Sequence, residues 1–379
     1  MSVTPAKMLR LVSWNIGSVP HKPMGLEQRW KGAAERILDG DAPDLVLLQE
    51  AFQPRAARKL MTYLEENGGS YELVACSGQG FKPVPYYVLF PLVLPALASL
   101  FWWMREGGLL ALRRVDSPWS LEGAEFVEYE EEAPFWNVFE GDEHADKGFQ
   151  RITLRNGDAS VVVFNTHLQA QYPDANHPED GNHHPEVRLA QLRQISLRAS
   201  AEPDRLAVLA VGDWNIRPFA VDLDDGCREQ RSTWRFPLDE GLYSELRRFW
   251  DDLTIPYRAS LDCTTFAGKP SEEGKSSTEG PQWLDYVLSA KDHAAVKLTK
   301  LDPLGVMLPN SKYAISDHLG LRAEIKIPES SPGFGKVSRA AALATVLAGP
   351  TTRRKLLVGT ALLSADALLP IGLARDPSE

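Results

Sequence analysis

The sequence has few cysteines, and the three that it has lie far apart. Cys76, Cys227 and Cys263 form no Cys-x-x-Cys pair and stand in no cysteine–histidine cluster. Cysteine-based zinc sites use closely spaced ligands, so we do not expect one in this chain. An odd number of cysteines also predicts no disulfide framework, although a single pair stays open.

The sequence also has no excess of basic residues. It contains 41 lysines and arginines against 51 aspartates and glutamates, which gives a formal net charge of −10. Salt-dependent adhesion to nucleic acid needs a basic surface, so we expect no stable nucleic-acid partner. A nucleic-acid substrate stays open, because a site rich in carboxylates would itself contribute to the negative charge.

The first residues, MSVTPAKMLRLVSWN, lack the apolar core of a secretory signal and lead directly into a strand pattern. We therefore expect a cytoplasmic protein, or one bound peripherally to the inner face of a membrane. The oligomeric state cannot be predicted from the sequence.

Apolar residues are abundant and occur in short runs. They make up 44% of 379 positions, which is enough for a sizeable core. A helix is predicted over residues 26–38, and a hairpin of strands 151–154 and 160–167 is predicted around an Asn-Gly turn. Helices and about ten strands follow one another without strict alternation, which favours two packed mixed sheets with helices outside.

An uncharged segment at residues 86–104, inside an insert at 81–106, does not fit the globular pattern. It is long enough to span a bilayer, but two prolines interrupt it and predicted strands flank it. We favour a membrane-dipping loop or hairpin over a full span, and a buried or self-associating element is the other alternative. Trp102 and Trp103, near its end, are the predicted membrane contacts.

A second segment of this kind follows residue 328. A Ser-Ser-Pro-Gly-Phe-Gly stretch is typical of a linker, so we place a domain boundary between residues 1–328 and 329–379. The hydrophobic tail beyond the linker is predicted to be either membrane-associated or a helical appendage packed on the core or on a partner.

Polar residues lie next to five predicted strands, at the point where the apolar sequence of each strand begins or ends. In VLAVGDWN, Asp213 and Asn215 lie two positions apart, so in an extended chain they would point to the same side. One polar strand end carries no meaning alone, but five with only Asn, Asp, Glu and His indicate a shared site. These residues are Asn15, Glu50, His167, Asp213 with Asn215, and Asp317 with His318.

Such a set of side chains suits a hard divalent cation. Mg²⁺ prefers carboxylate and amide oxygens, so Glu50 is the best candidate ligand, with Asn15 and Asp317 completing or supporting the shell. In phosphodiester hydrolysis, a metal neutralises oxygens at phosphorus and a base deprotonates water. His318 could be that base, and Asp285 in WLDYV could fix its tautomer.

The motifs WNI, LLQE, NTHL, GDWN, WLDYVL and SDH, in this order, resemble the endonuclease/exonuclease/phosphatase superfamily, which includes deoxyribonuclease I and the Mg²⁺-dependent neutral sphingomyelinases. The resemblance spans about residues 9–327 and implies an α/β fold, a four-layered α/β sandwich, for a catalytic domain. It implies Mg²⁺ as the cofactor, with Mn²⁺ able to substitute. Asn15 and Glu50 would bind the metal, and Asp213 and Asn215 would orient water and contact the transition state.

The same resemblance implies roles for the two histidines. His318 would be the general base, with Asp285 as its partner. Asp317 would help to hold His318 and the water shell of the metal. His167 would contact the phosphate, where it either protonates or stabilises the leaving group.

Three further stretches are similar to the sphingomyelinase branch of the superfamily. They are THLQA at 166–170, GGLLALR at 107–113, with Arg113 where serine is usual, and an Asp-x4-Lys-Gly segment. In that last segment Asp142 and Lys147 would pair to shape a lipid site and bind substrate. The alternative is an ordinary solvated ion pair.

The sequence therefore predicts a Mg²⁺-dependent phosphodiesterase, sphingomyelinase C-like, that hydrolyses phospholipid head groups by in-line attack of water. Its partners would be the phospholipid substrate and a membrane surface. One alternative is a nuclease, or a phosphoinositide or sugar-phosphate phosphatase, with the same site. The other is a non-catalytic, membrane-tethered binding module.

Overall fold

The computed structural model of the chain divides into two compact units, Met1–Gly333 and Phe334–Glu379. All of the residues that it describes belong to the first unit. They are residues 6–17, 26–52, 56–76, 108–132, 147–170, 184–202, 205–218, 239–261, 264–266, 282–305 and 315–328.

Twelve strands and four α-helices lie within these described residues. Two short 3-10 turns, Ile255–Tyr257 and Ala259–Leu261, follow the ninth strand. In chain order the elements are β1 (Lys7–Asn15), α1 (Leu26–Leu38), β2 (Leu45–Gln49), α2 (Ala56–Glu66), β3 (Tyr71–Cys76), β4 (Leu110–Arg114), β5 (Ser120–Glu128), β6 (Gly148–Asn156), β7 (Ala159–His167), α3 (Pro185–Ser200), β8 (Ala207–Asp213), α4 (Glu240–Phe249), β9 (Trp250–Asp252), β10 (Asp285–Ala290), β11 (Lys297–Leu304) and β12 (Gly320–Ile327).

The strands form two mixed sheets of six. The first sheet has the order β11-β12-β1-β2-β4-β3, and the second has the order β5-β6-β7-β8-β10-β9. Each sheet has one parallel pair at its centre, β1 with β2 and β7 with β8. The other neighbouring strands are antiparallel. The carboxyl ends of each parallel pair therefore lie at the same edge of their sheet.

Alternation along the central strands of the first sheet fills two cores. In β1, Leu11 joins the core between the sheets, whereas Trp14 joins the core under α1 and α2. In β2, Leu47 and Leu48 divide in the same way. Successive strand residues point to opposite faces, so a strand covered on both faces is apolar along most of its length.

The predicted fold class is confirmed. Helices α1 and α2 cover the first sheet, with Trp30 and Leu60 in their shared core. Helices α3 and α4 pack with the second sheet through Leu192 and Leu246. The arrangement is an α/β sandwich of two packed mixed sheets with helices outside.

The prediction missed β5, α4 and β9. Strand β5 is an edge strand whose residues are half-buried or exposed, so it lacks the apolar run by which the other strands were found. Its acids form ion pairs instead: Glu122 with Arg155 and Glu125 with Arg198. By contrast, α1 begins and ends at the predicted residues.

In the described part of the chain, no helix is both long and apolar enough to cross a lipid bilayer. The insert at 81–106, with Trp102 and Trp103, and the tail at 329–379 lie outside that part. The membrane predictions made for these segments therefore stay predictions.

Candidate active site

Strand register brings the predicted strand ends together. Asn15 ends β1 and pairs with Gln49, the last residue of β2, which directly precedes Glu50. His167 and Asp213 end the parallel strands β7 and β8 and lie opposite each other. Strand β10 returns antiparallel to β8, so its first residue, Asp285, lies opposite Asp213. Ligand sites of α/β sheets commonly form at such carboxyl ends.

Asn15 donates to one carboxylate at the end of each sheet, Glu50 after β2 and Asp213 in β8. Its Nδ2 donates to Asp213 Oδ2 at 3.0 Å and to Glu50 Oε1 at 3.2 Å, and its Oδ1 accepts the Gly17 N–H at 3.0 Å. Carboxylates only accept and an N–H only donates, so these partners fix the orientation of the amide. Asn15, predicted as a metal ligand, therefore turns its nitrogen towards the carboxylates and orients them in this structure.

Backbone conformation also directs the two carboxylates. Glu50 leaves β2 with a left-handed φ of 53°, which is unfavourable for a non-glycine residue and is typically retained at functional sites. Gly212 precedes Asp213 with a φ of 135°, and a Cβ there would lie 2.1 Å from the Thr166 carbonyl oxygen. Only glycine allows β7 and β8 to approach this closely beside the site.

The chain turns directly after Asp213. Asn215 has a φ of 48°, its N–H donates to Asp213 Oδ1 at 2.9 Å, and its Nδ2 donates to the Leu168 carbonyl at 3.0 Å. Asp and Asn favour such turns because their side chains bond nearby backbone groups. The chain is therefore not extended from Asp213 to Asn215, as the prediction for this pair assumed. The turn ties Asn215 to the residue after His167.

His318 and Asp285 form a buried hydrogen-bonded pair. His318 Nδ1 lies 2.8 Å from Asp285 Oδ2, and His318 Nε2 lies 3.7 Å from Asp213 Oδ2. The Trp14 indole N–H donates to the His318 carbonyl at 2.9 Å, and the Phe266 ring packs edge-on against the imidazole. Nε2 therefore faces the other site residues, the geometry that a general base requires.

The charges around His318 control its proton. Burial lowers the pKa of His318, but the carboxylates of Asp285 and Asp213 outweigh burial and raise that pKa to about 10. Burial raises the pKa of Asp213, and His318 opposes that rise. Without a bound metal cation, His318 is therefore protonated at neutral pH. A positive charge beside these carboxylates would lower the pKa of His318.

His167 lies on the other side of Asp213. Its Nε2 is 3.6 Å from Asp213 Oδ2, and its Nδ1 is 3.3 Å from Lys147 Nζ. Lys147 is 1% exposed and also donates to the Leu168 carbonyl at 3.2 Å. An ammonium group can only donate, so Nδ1 accepts and the Nε2 proton points towards Asp213. Lys147, predicted to bind substrate, lies against His167, and its predicted partner Asp142 lies outside the described residues.

Arg29, in α1, was not predicted as part of the site. Its Nε donates to the Ile315 carbonyl at 2.7 Å, and its Nη2 donates to the carbonyls of Ile16 and Gly17 at 2.8 and 3.0 Å. These carbonyls belong to the loop after Asn15 and to the loop before the Ser-Asp-His motif. Arg29 therefore fixes two site loops that are remote in sequence.

Replacing Arg29 with lysine is expected to lower the free energy of unfolding by about 1–3 kcal/mol, because an ammonium group cannot reach carbonyls on both loops. Denaturant unfolding followed by fluorescence would measure the change. Arg36→Lys, a half-buried position of the same helix, is the matched control and should change stability by less than about 0.5 kcal/mol. Equal losses in both variants would contradict the role of Arg29.

The donor set fits a hard divalent cation. Burial lowers the pKa of Arg29, and the nearby carboxylates of Asp317 and Glu50 oppose that effect. Both carboxylates therefore lie near the Arg29 guanidinium. Asp213, Asp285 and His318 also form a buried group whose ligand atoms lie within 4.8 Å of one another. Because His318 and Asp285 already share a hydrogen bond in that group, the half-buried Glu50 is the better position for a metal.

Ser316 is a further site residue that the sequence reasoning missed. Its hydroxyl donates to the Asn15 carbonyl and accepts the His318 N–H at 3.0 Å. Its place beside Asp317 in the Ser-Asp-His motif is the signal that could have identified it. It links the end of β1 to the residues that lead into β12.

Three solved structures share this fold at low sequence identity. They are D. rerio TDP2 complexed with a single-strand DNA product (TM-score 0.56, 12% identity), the beta toxin of Staphylococcus aureus with bound magnesium ions (0.54, 17%) and sphingomyelinase C from Streptomyces griseocarneus (0.50, 19%). The matches cover 84%, 84% and 85% of this chain and 99% of each other chain. Identities this low show the fold alone. A search of curated proteins finds no match.

The profile of one protein family matches most of the chain. The match covers residues 12–318 and so includes every site residue from Asn15 to His318. The matching profile is that of the Endonuclease/Exonuclease/phosphatase family. Its members are hydrolases that act on phosphodiester bonds. This chain therefore belongs to the endonuclease/exonuclease/phosphatase family and is a hydrolase of the phosphodiesterase type.

Proposed function

We propose that the chain is a Mg²⁺-dependent, sphingomyelinase C-like phosphodiesterase that hydrolyses phospholipid head groups. One observation carries the hydrolytic part of the proposal. Asp213 receives a hydrogen bond from Asn15, which also bonds Glu50, and the same Asp213 oxygen faces the Nε2 atoms of His167 and His318. Residues remote in sequence thus form one acid–base cluster.

These side chains can assist in-line attack of water on phosphorus. Asp285 holds Nδ1 of His318, so Nε2 can take a proton from a water oriented by Asp213. His167 can donate its Nε2–H to a phosphate or leaving-group oxygen. Glu50 would hold Mg²⁺ or Mn²⁺, which when bound supplies positive charge to the phosphate oxygens and offsets the carboxylate field that raises the pKa of His318.

The described residues that flank the apolar insert support a lipid substrate. Leu110, the first residue of β4, pairs with Leu48 in β2 and with Cys76, the last residue of β3. Cys76 and Leu110 flank the insert at 81–106. The chain on both sides of the insert therefore lies at the edge of the sheet where β2 ends.

A direct hydrogen bond places Gly108, which follows the insert in the chain, next to the site. The Ala51 N–H donates to the Gly108 carbonyl at 2.8 Å, and Ala51 directly follows Glu50. An apolar segment joined at this point could dip into a membrane while the site reaches the head group, with Trp102 and Trp103 as membrane contacts. A nuclease has no evident use for such a segment.

A substrate panel with the full chain tests the proposal. Sphingomyelin in mixed micelles should be cleaved to release phosphocholine, EDTA should abolish this activity, and added Mg²⁺ should restore it. Asp213→Ala is the inactive control. Full hydrolysis in EDTA would contradict the metal-dependent mechanism, whereas turnover of inositol phosphates alone would contradict the lipid substrate.

A nuclease activity is the second candidate, because the TDP2 structure that shares this fold holds a DNA product. The same panel therefore includes single-stranded DNA and RNA. Turnover of nucleic acid without lipid hydrolysis would favour this candidate. Vesicle binding without turnover of any substrate, unchanged in Asp213→Ala, would favour the non-catalytic binding module.

A further inference from the structure

A short segment, residues 264–266, connects the two chain regions that carry His318 and Asp285. Phe266 forms isolated bridges to Gln282 on one side and to His318 on the other. The Phe266 N–H donates to the Gln282 carbonyl at 2.8 Å, and the Gln282 N–H donates back at 3.0 Å. The segment therefore lies between the residues that lead into β10 and those that lead into β12.

Thr265, directly before Phe266, makes the connection through its side chain and its backbone. It is fully buried. Its Oγ1 accepts the N–H groups of Leu284 and Asp285 at 2.9 and 3.0 Å, and its carbonyl accepts the Leu319 N–H at 2.6 Å. One threonine thus bonds the backbone of Asp285 and the backbone next to His318.

We infer that Thr265 is a positioning residue that sets the geometry of the His318–Asp285 pair. The inference rests on the proposed function, because it treats His318 as the general base. An apolar side chain at position 265 would leave two buried N–H groups unsatisfied, and the start of β10 would shift to recover them. That shift would move Asp285 away from His318 Nδ1.

The first test compares three variants by steady-state kinetics with the substrate that the panel identifies. Thr265→Val keeps the shape but removes the hydroxyl, and it should lower kcat by about 10²-fold with little change in KM. Thr265→Ser restores the acceptor and should restore most of kcat. Thr254→Val removes another fully buried hydroxyl, bonded to Asp252 Oδ1, and should lose stability but keep kcat.

A second readout does not depend on substrate. The His318 Nδ1 proton shared with Asp285 should give a downfield proton NMR resonance, assigned by its loss in Asp285→Asn. That resonance should be lost or shifted in Thr265→Val and kept in Thr265→Ser and Thr254→Val. If the wild-type protein hydrolyses nothing in the panel, the proposed function fails, but this resonance still tests the role of Thr265.

If Thr265 only stabilised the fold, the expected results would differ. An unchanged resonance and unchanged kcat in Thr265→Val would overturn the inference, and so would an equal loss of kcat in Thr254→Val. If Thr265→Val does not fold, Thr265→Cys takes its place, because a thiol is a weaker acceptor of similar size. It should show an intermediate kcat and a shifted resonance, and wild-type values for both would also overturn the inference.

Discussion

Replacing His318 with glutamine is expected to lower kcat by about 10²–10⁴-fold, the usual contribution of a positioned general base. The glutamine amide can still donate an N–H to the Asp285 carboxylate, but it is neutral and cannot take a proton from water. KM should change little, because in the proposed mechanism His318 acts on the attacking water in the transition state. Initial rates with the substrate found in the panel would measure both constants.

His293→Gln is the matched control for this prediction. His293 is another buried histidine, bonded through Nε2 to the Glu202 carbonyl at 2.8 Å, and it follows the far end of β10. This variant should lose stability while kcat stays near the wild-type value. A similar loss of kcat in both variants would mean that general destabilisation, and not loss of a base, explains the result.

The same His318→Gln variant has an expected effect on stability in EDTA. The pKa of His318 is raised from its ordinary value of 6.5 to about 10, so the folded chain holds this proton more tightly than the unfolded chain. The resulting stabilisation is complete below about pH 6.5 and is lost as the pH rises through about 10. Wild-type unfolding midpoints should fall across this window more steeply than those of the variant.

Glu50→Gln is expected to lower kcat/KM by about 10³-fold at a fixed Mg²⁺ concentration, because loss of the proposed carboxylate ligand would remove several kcal/mol of charge stabilisation. Part of the loss should be recovered at high Mg²⁺, since the amide oxygen is a weaker ligand for a hard cation. Titration calorimetry with Mg²⁺ would separate weaker metal binding from slower chemistry.

Glu72→Gln is the control for the carboxylate. Glu72 lies in edge strand β3 of the same sheet and pairs with Arg113 at 2.6 Å, away from the site cluster. Removing a half-exposed ion pair of this kind costs about 0–1 kcal/mol of stability and should leave Mg²⁺ affinity unchanged. Unchanged Mg²⁺ affinity in Glu50→Gln as well would place the metal on other residues.

Local pattern predicted those elements that bury a full apolar face. Helix α1 and the β6–β7 hairpin both occur where expected, because 3.6-residue and two-residue periods report burial directly. The pattern failed at β5, whose acids pair with arginines from other elements. It also failed at Asp213, where the side chain bonds the N–H of Asn215 and ends the strand.

By itself, the sequence determined which residues are candidates for the site and their order along the chain. The buried middle of a strand requires apolar residues. Polar residues at the strand ends can therefore be recognised from the sequence alone, and they include Glu50, His167, Asp213 and His318. What only the tertiary structure decided is which groups hold them. The Asn15–Asp213 bond joins residues 198 apart, and the Arg29 bond to Ile315 joins residues 286 apart. Such contacts depend on how two sheets pack, which no local period encodes.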